Sequence, residues 1–288
     1  MEATDLLKRV RRIEIKTRGL SQQIFSGEYH SAFKGKGMAF SEVREYQYGD
    51  DIRNIDWNVT ARFNHPYVKV FEEERELTVM LLIDVSGSRE FASSFRLKKN
   101  LITEVAAVLS FSAISNNDKI GVILFSNNIE KFIPPKKGRQ HILRIIRELI
   151  DFEPQSRGTN ISIALEYLIN AIKKRSTAFL ISDFIDDNYE EALKIGSKKH
   201  DLIALKVFDI RETELPDVGL IRMKDAESGK MIEVDSGLKI VRKAYAEYWT
   251  NKSKETMELF KKYGIDNAEL ATHEDYVKPL MKLFKKRA

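Results

Sequence analysis

The chain has 288 residues, 48 Lys and Arg against 43 Asp and Glu, a net charge of +5 and no Cys. A hydrophobic share of 43% with 32% charged residues is that of a soluble globular protein with length for one large or two modest domains. The missing thiols exclude disulfides, thiolate metal sites and Cys nucleophiles, and fit a reducing compartment.

At the start, Leu6, Leu7, Val10, Ile13 and Ile15 mark one stripe of a basic amphipathic helix over residues 4–25. No apolar run approaches the roughly 20 residues that span a bilayer. Residues 1–20 alternate charge with isolated aliphatics rather than forming a signal peptide, so the expected location is the cytoplasm. The net charge concentrates at the ends, in residues 8–12 and 278–287. Such clusters are solvated helix faces or attract nucleic acid, anionic lipid or an acidic partner. Aromatics do not interleave with them as single-strand binding requires, which argues against nucleic acid.

Residues 33–40 (FKGKGMAF) read as a basic loop. A G-x-G without a preceding strand is a weak anion-binding signal. Residues 42–76 are dense in charge and aromatics. There Tyr48, Gly49, Asp50 and Asp51 predict a turn, and residues 67–71 a strand. Asp50, Asp51, Arg53, Asp56 and Arg62 are spaced for ion pairs around Trp57. This block is either a recognition surface or an ion-paired platform packed on a sheet.

Residues 77–83 (LTVMLLI) form an unbroken apolar run that suits a strand covered on both faces. It ends in Asp84, Val85, Ser86, Gly87 and Ser88, where oxygen-bearing side chains alternate on a turn. Ser93 and Ser94 can cap a helix whose buried stripe runs Leu97, Leu101, Val105, Val108 and Ser112, ending at residues 116–118. Buried strands follow at residues 119–125, 177–181 and 201–208. A short strand at 130–133 stops at Pro134 and Pro135 and suits an edge. Helices are predicted at 138–152, from Ile161 to Ile172, at 189–196, 238–263 and 276–284, and a hairpin around Glu227, Ser228 and Gly229. Strands alternating with helices predict an α/β fold with a doubly wound, mostly parallel sheet over residues 77–288. Residues 1–76 lack that rhythm and are taken as an appended N-terminal segment packed on the sheet.

In doubly wound sheets ligands bind beyond the carboxyl ends of the strands. Asp84, Ser86 and Ser88, then Thr159, then Asp183 all fall on such loops. Oxygen donors of which at most two are carboxylates suit Mg²⁺, which takes six oxygens and readily keeps waters. His30, His65, His141, His200 and His273 are scattered without zinc spacing, and Ser86 has no evident His base for a hydrolase triad. The chain also lacks the Gly-rich phosphate loop of P-loop ATPases.

The pattern Asp84-x-Ser86-x-Ser88 with Thr159 and Asp183 downstream resembles the metal-ion-dependent adhesion site (MIDAS) of von Willebrand factor A domains. The resemblance implies a Rossmann-like fold. It also implies Mg²⁺ (or Mn²⁺) contacted by the serines and the threonine, with the aspartates acting partly through water. A partner's acidic side chain completes the shell, and the ion is weakly held until it arrives. The block from Phe40 to Val79, with the later phrases ISDFIDD and FDIRETELPDVG, resembles the bacterial family called domain of unknown function 58. The likeness covers roughly residues 33–245. That resemblance implies a non-enzymatic adaptor for a MoxR-type AAA+ ATPase or another acidic protein, with no small-molecule substrate. Family members often carry Met after the second serine, where this chain has Arg89, placing positive charge beside the cation. The alternatives are a Mg²⁺-dependent phosphohydrolase, which lacks a general base and a second Asp at the required spacing, and nucleic-acid binding through the basic termini.

Overall fold

A computed structural model of the chain describes residues 11–14, 16–17, 19–21, 24, 38–73, 77–90, 97–224 and 230–287. The glycine–lysine stretch at 33–37, the candidate caps Ser93 and Ser94, and the turn at 227–229 lie outside the described residues. So do Leu6, Leu7, Val10 and Ile15 of the first helix. Two compact units are present, one of residues 35–77 and the other of 1–34 with 78–288.

In the smaller unit, β1 (Met38–Glu45) pairs antiparallel with β2 (Tyr67–Glu73), with a bulge between Phe40 and Glu42. Residues 38–40, expected in a loop, are therefore strand, because pairing with β2 supplies the order that local composition does not. A single 3₁₀ turn (Ile52–Asn54) and α1 (Trp57–Phe63) lie between the two strands. Asp56 caps α1 by accepting from the Asn58 and Val59 amides, and also pairs with Lys69. Arg44 grips Asp50 through two bonds of 2.7 and 2.8 Å, while Asp51 pairs with Arg53. These pairs do not enclose Trp57, which is exposed, and Arg62 is not among them.

The larger unit holds six strands: β3 (Thr78–Asp84), β4 (Lys119–Phe125), β5 (Ile129–Lys136), β6 (Thr177–Ser182), β7 (Asp201–Phe208) and β10 (Asp266–Ala271). Their order is β10-β7-β6-β3-β4-β5, all parallel except β5. Central β3 is buried from Val79 onward. Its side chains alternate between faces: Met80 and Leu82 join Ala178, Leu180 and Ala204 in a core. That core packs on α4 (Ile161–Ala171), on α5 (Glu190–Lys199) and on Phe260 of α7 (Lys239–Lys262). The opposite face, with Phe179 against Phe284, carries α8 (Val277–Arg287). α2 (Lys98–Ser115), buried along most of its length, and α3 (Arg139–Asp151) pack on each other. The fold is α/β and doubly wound, with helices on both faces of a mostly parallel sheet. The remaining elements are the turn α6 (Ile210–Thr213) and an antiparallel hairpin of β8 (Leu220–Lys224) with β9 (Met231–Asp235).

Two departures from sequence expectation have physical causes. β5 continues through Pro134 and Pro135 because it is an edge strand and its register shifts between Ile120 and Val122 of β4. The bulge absorbs two residues that cannot donate ladder bonds. A Cβ at Gly121 would come within 3.0 Å of Met80, Pro135 and Ile133, so only glycine fits there. β10 was not expected at all: Asp266, Asn267 and Glu269 carry little strand propensity, and β7 recruits them as a parallel edge.

The described N-terminal residues are helical, and buried Glu14 pairs with Arg139. Among the described residues no helix is long and apolar enough to cross a membrane. The C-terminal basic cluster is not all solvated: Arg287 is buried and bridges Asp201 and Asp266.

Candidate functional site

Three loops at the carboxyl edge of the sheet gather the expected residues. The first follows β3. Asp84 is buried at the strand end, and its Oδ1 accepts from the Ser86 amide at 2.9 Å, which folds the turn back over the carboxylate. The Ser86 and Ser88 hydroxyls then lie 3.1 Å apart.

The second loop, residues 152–160, is fastened to its neighbours by backbone bonds. Gly87 N–H donates to the Arg157 carbonyl (2.8 Å) and Asn160 N–H to the Ser126 carbonyl (3.0 Å). The Glu130 carboxylate, reaching from β5, accepts from the Gln155 and Ser156 amides. So held, Thr159 places its hydroxyl 3.5 Å from Asp84 Oδ2.

The third loop follows β6. Ser182 donates to Asp84 Oδ2 at 2.7 Å and accepts from the Phe184 amide. Phe184 has φ 59°, a left-handed conformation that costs a non-glycine residue about 1–2 kcal/mol. Its ring packs 5.0 Å from Phe260, which holds the turn in place. Asp186 Oδ2 accepts from the Ile161 amide, tying this loop to the start of α4. Asp183, buried, receives bonds from Ser88 and from Lys98.

Asp84, Ser86, Ser88, Thr159 and Asp183 are thus brought together, joined by three residues the sequence reading did not assign to the site. Ser182 is the last residue of β6, directly before Asp183. Lys98 and Glu212 gave no signal, since one sits in a Lys-Lys pair and the other in a helix-capping motif. The Lys98 ammonium lies 3.1 Å from Asp183 Oδ2 and 2.7 Å from Glu212 Oε1. Arg89 lines the same small cavity, but its guanidinium turns onto the Phe152 carbonyl and ring.

Burial and the neighbouring Asp183 charge push the Asp84 carboxyl up to about 6, against the bonds from Ser182 and Ser86. Burial also acts to raise Asp183, but the Lys98 ammonium together with bonds from Ser88 and the Ile185 amide overrides it and holds that carboxyl below the ordinary range. Burial raises Glu212, partly offset by Lys98. Lys98 stays charged, because its two carboxylates outweigh the cost of burial.

The donor set fits a hard divalent cation. Six oxygens about 2.1 Å from Mg²⁺ stand about 3.0 Å from their neighbours in an octahedron. The Ser86–Ser88 separation of 3.1 Å is close to that spacing, and the Asp84–Thr159 separation of 3.5 Å is wider. The Asp84 carboxylate is held by two hydroxyls, those of Ser182 and Thr159, and by the Ser86 amide. The cavity bounded by Asp84, Ser88, Lys98, Ser182 and Asp183 has a volume of about 10 Å³, room for about one water molecule or one small ion. Among the described residues no three His, Asp or Glu side chains form a metal cluster, so a cation held here would depend on the hydroxyls.

His141 and His200, both described, have partners of their own. His141 Nε2 bonds the Ile120 carbonyl, and His200 Nδ1 faces the Ser176 amide and hydroxyl.

The family described as "Protein of unknown function DUF58" matches residues 42–255. The uncharacterized protein Mb1516 of Mycobacterium bovis is 31% identical over 227 residues, 78% of this chain and 72% of its own. YeaD of Bacillus subtilis is 22% identical over 183 residues, 64% of this chain and 44% of its own. Among solved structures, BatB from Bacteroides thetaiotaomicron gives a TM-score of 0.49 at 16% identity, covering 73% of this chain and 98% of that one.

Proposed function

The chain belongs to the family described as Protein of unknown function DUF58, and from that premise we propose that it is a non-enzymatic, metal-dependent protein-interaction module. The observation that carries this reading is the convergence on buried Asp84 of three hydroxyl-bearing loops, with a second carboxylate, Asp183, alongside. Asp84 and the hydroxyls of Ser86, Ser88 and Thr159 would hold Mg²⁺ or Mn²⁺, with Asp183 reaching it through water. A cation with so few anionic ligands remains electrophilic and accepts a carboxylate from outside.

The chain's own residues do the rest. Ser182 and the Ser86 amide orient the Asp84 carboxylate. Glu130 fixes the loop that carries Thr159. Phe184, packed on Phe260, sets the direction of the Asp183 turn.

The partner is a protein presenting an acidic side chain, for which a MoxR-type AAA+ ATPase is our candidate. The test is complex formation between the purified chain and such an ATPase. Binding in Mg²⁺ that EDTA and Asp84→Ala both abolish supports the reading. Binding indifferent to both refutes it, and phosphoester turnover lost in Asp84→Ala would replace it with hydrolysis.

A further inference from the structure

Lys98 is the first residue of α2, yet its side chain is only 2% exposed. A lysine at a helix start ordinarily extends into water, because burying an ammonium costs several kcal/mol unless it is paired. Here two carboxylates from separate elements hold it. Asp183 lies beyond β6, and Glu212 belongs to α6.

The two anions differ in freedom. The Glu212 carboxylate also accepts from the Asp209 amide at 3.1 Å as half of a capping box, and Tyr245 on α7 donates to the Glu212 carbonyl at 2.8 Å. Glu212 is therefore anchored from outside the three site loops. Asp183 is shared between Lys98 and the proposed cation position, and Lys98 borders the same cavity as Asp84, Ser88 and Ser182.

We infer that Lys98 is a resident counter-cation that competes with the divalent ion for Asp183 and so sets how tightly the site holds metal, with Glu212 drawing the ammonium away. This rests on the metal-binding reading above. The physics is a balance of like charges: an ammonium beside a divalent cation repels it in a poorly solvated site, while each nearby carboxylate attracts it. Lys98 and Glu212 therefore act with opposite signs. Removing the lysine frees Asp183 and strengthens metal binding. Neutralising Glu212 removes an attractive charge and leaves the ammonium to Asp183 alone, which weakens metal binding. A purely structural role would make both changes weaken binding through lost order.

The test titrates Mn²⁺ into wild type, Lys98→Met and Glu212→Gln, read by electron paramagnetic resonance and calorimetry, with circular dichroism confirming the fold. Gln preserves the capping box. Lys98→Met is expected to bind Mn²⁺ at least tenfold tighter, and Glu212→Gln at least threefold more weakly. Unchanged or weaker binding in folded Lys98→Met overturns the inference. Should that variant fail to fold, Lys98→Gln is read in its place, tighter Mn²⁺ binding supporting the inference and unchanged or weaker binding overturning it. Mn²⁺ bound by Lys98→Met but not by wild type supports it, the lysine then occupying the site outright. Mn²⁺ bound by neither overturns both this inference and the metal reading beneath it, whereas binding by wild type without the Lys98 effect overturns this inference alone.

Discussion

Glu130 touches none of the candidate ligands, yet its loss should loosen the site. Its carboxylate accepts from Gln155 N–H at 3.2 Å and Ser156 N–H at 3.1 Å, and it also takes a bond from Ser126. Hydrogen bonds to a charged group are worth about 1.5–3 kcal/mol each. The residue is only half-buried, so water replaces part of that, and Glu130→Ala should cost about 2–4 kcal/mol of stability. The loop it frees carries Thr159, and the Gly87–Arg157 and Asn160–Ser126 backbone bonds still tether it. Re-ordering Thr159 on binding would then cost about 1.4 kcal/mol, which is tenfold in affinity. Urea unfolding and Mn²⁺ titration of the same variant separate the two effects. Glu130→Gln, which still accepts both amides without the charge, should fall between. A Glu130→Ala protein that is destabilised but binds Mn²⁺ like wild type would refute the claim that this latch positions Thr159.

Two further predictions concern stability alone. His200 is buried, its Nδ1 accepts from the Ser176 amide, and burial followed by the Lys199 and Arg175 charges lowers its pKa to about 4. The unfolded chain takes up a proton near pH 6.5 that the folded chain refuses until about pH 4. Stability is therefore lost as pH falls through that window, by about 3 kcal/mol. Urea titrations at pH 7 and 4.5 should show that loss in wild type and not in His200→Asn; equal losses would contradict it. Arg287 is buried between Asp201 of β7 and Asp266 of β10. Arg287→Leu leaves both carboxylates without it and should cost about 3–5 kcal/mol, and a urea-derived loss below about 1 kcal/mol would show the bridge to be dispensable.

The parallel core was legible because strands buried on both faces spell themselves out as apolar runs, as in residues 77–83 and 119–125. Edge elements were legible only in part. Asp266–Ala271 carries little strand pattern, and β5, expected at the edge but ending before Pro134, runs on because a bulge against Gly121 makes its two prolines tolerable. In the site, each candidate oxygen sits within four residues of a strand or helix end, so chain order alone pointed to one edge. Lys98 and Glu212 could not be read that way. They are 114 residues apart, and only the packing of α2 beside α6 makes their charges neighbours.

The most direct test of the account is Mn²⁺ binding to the purified chain, followed by electron paramagnetic resonance. One Mn²⁺ per chain, displaced by excess Mg²⁺ and lost in Asp84→Ala while the protein stays folded, is the predicted result. No uptake at millimolar Mn²⁺, or uptake unchanged in Asp84→Ala, would contradict it.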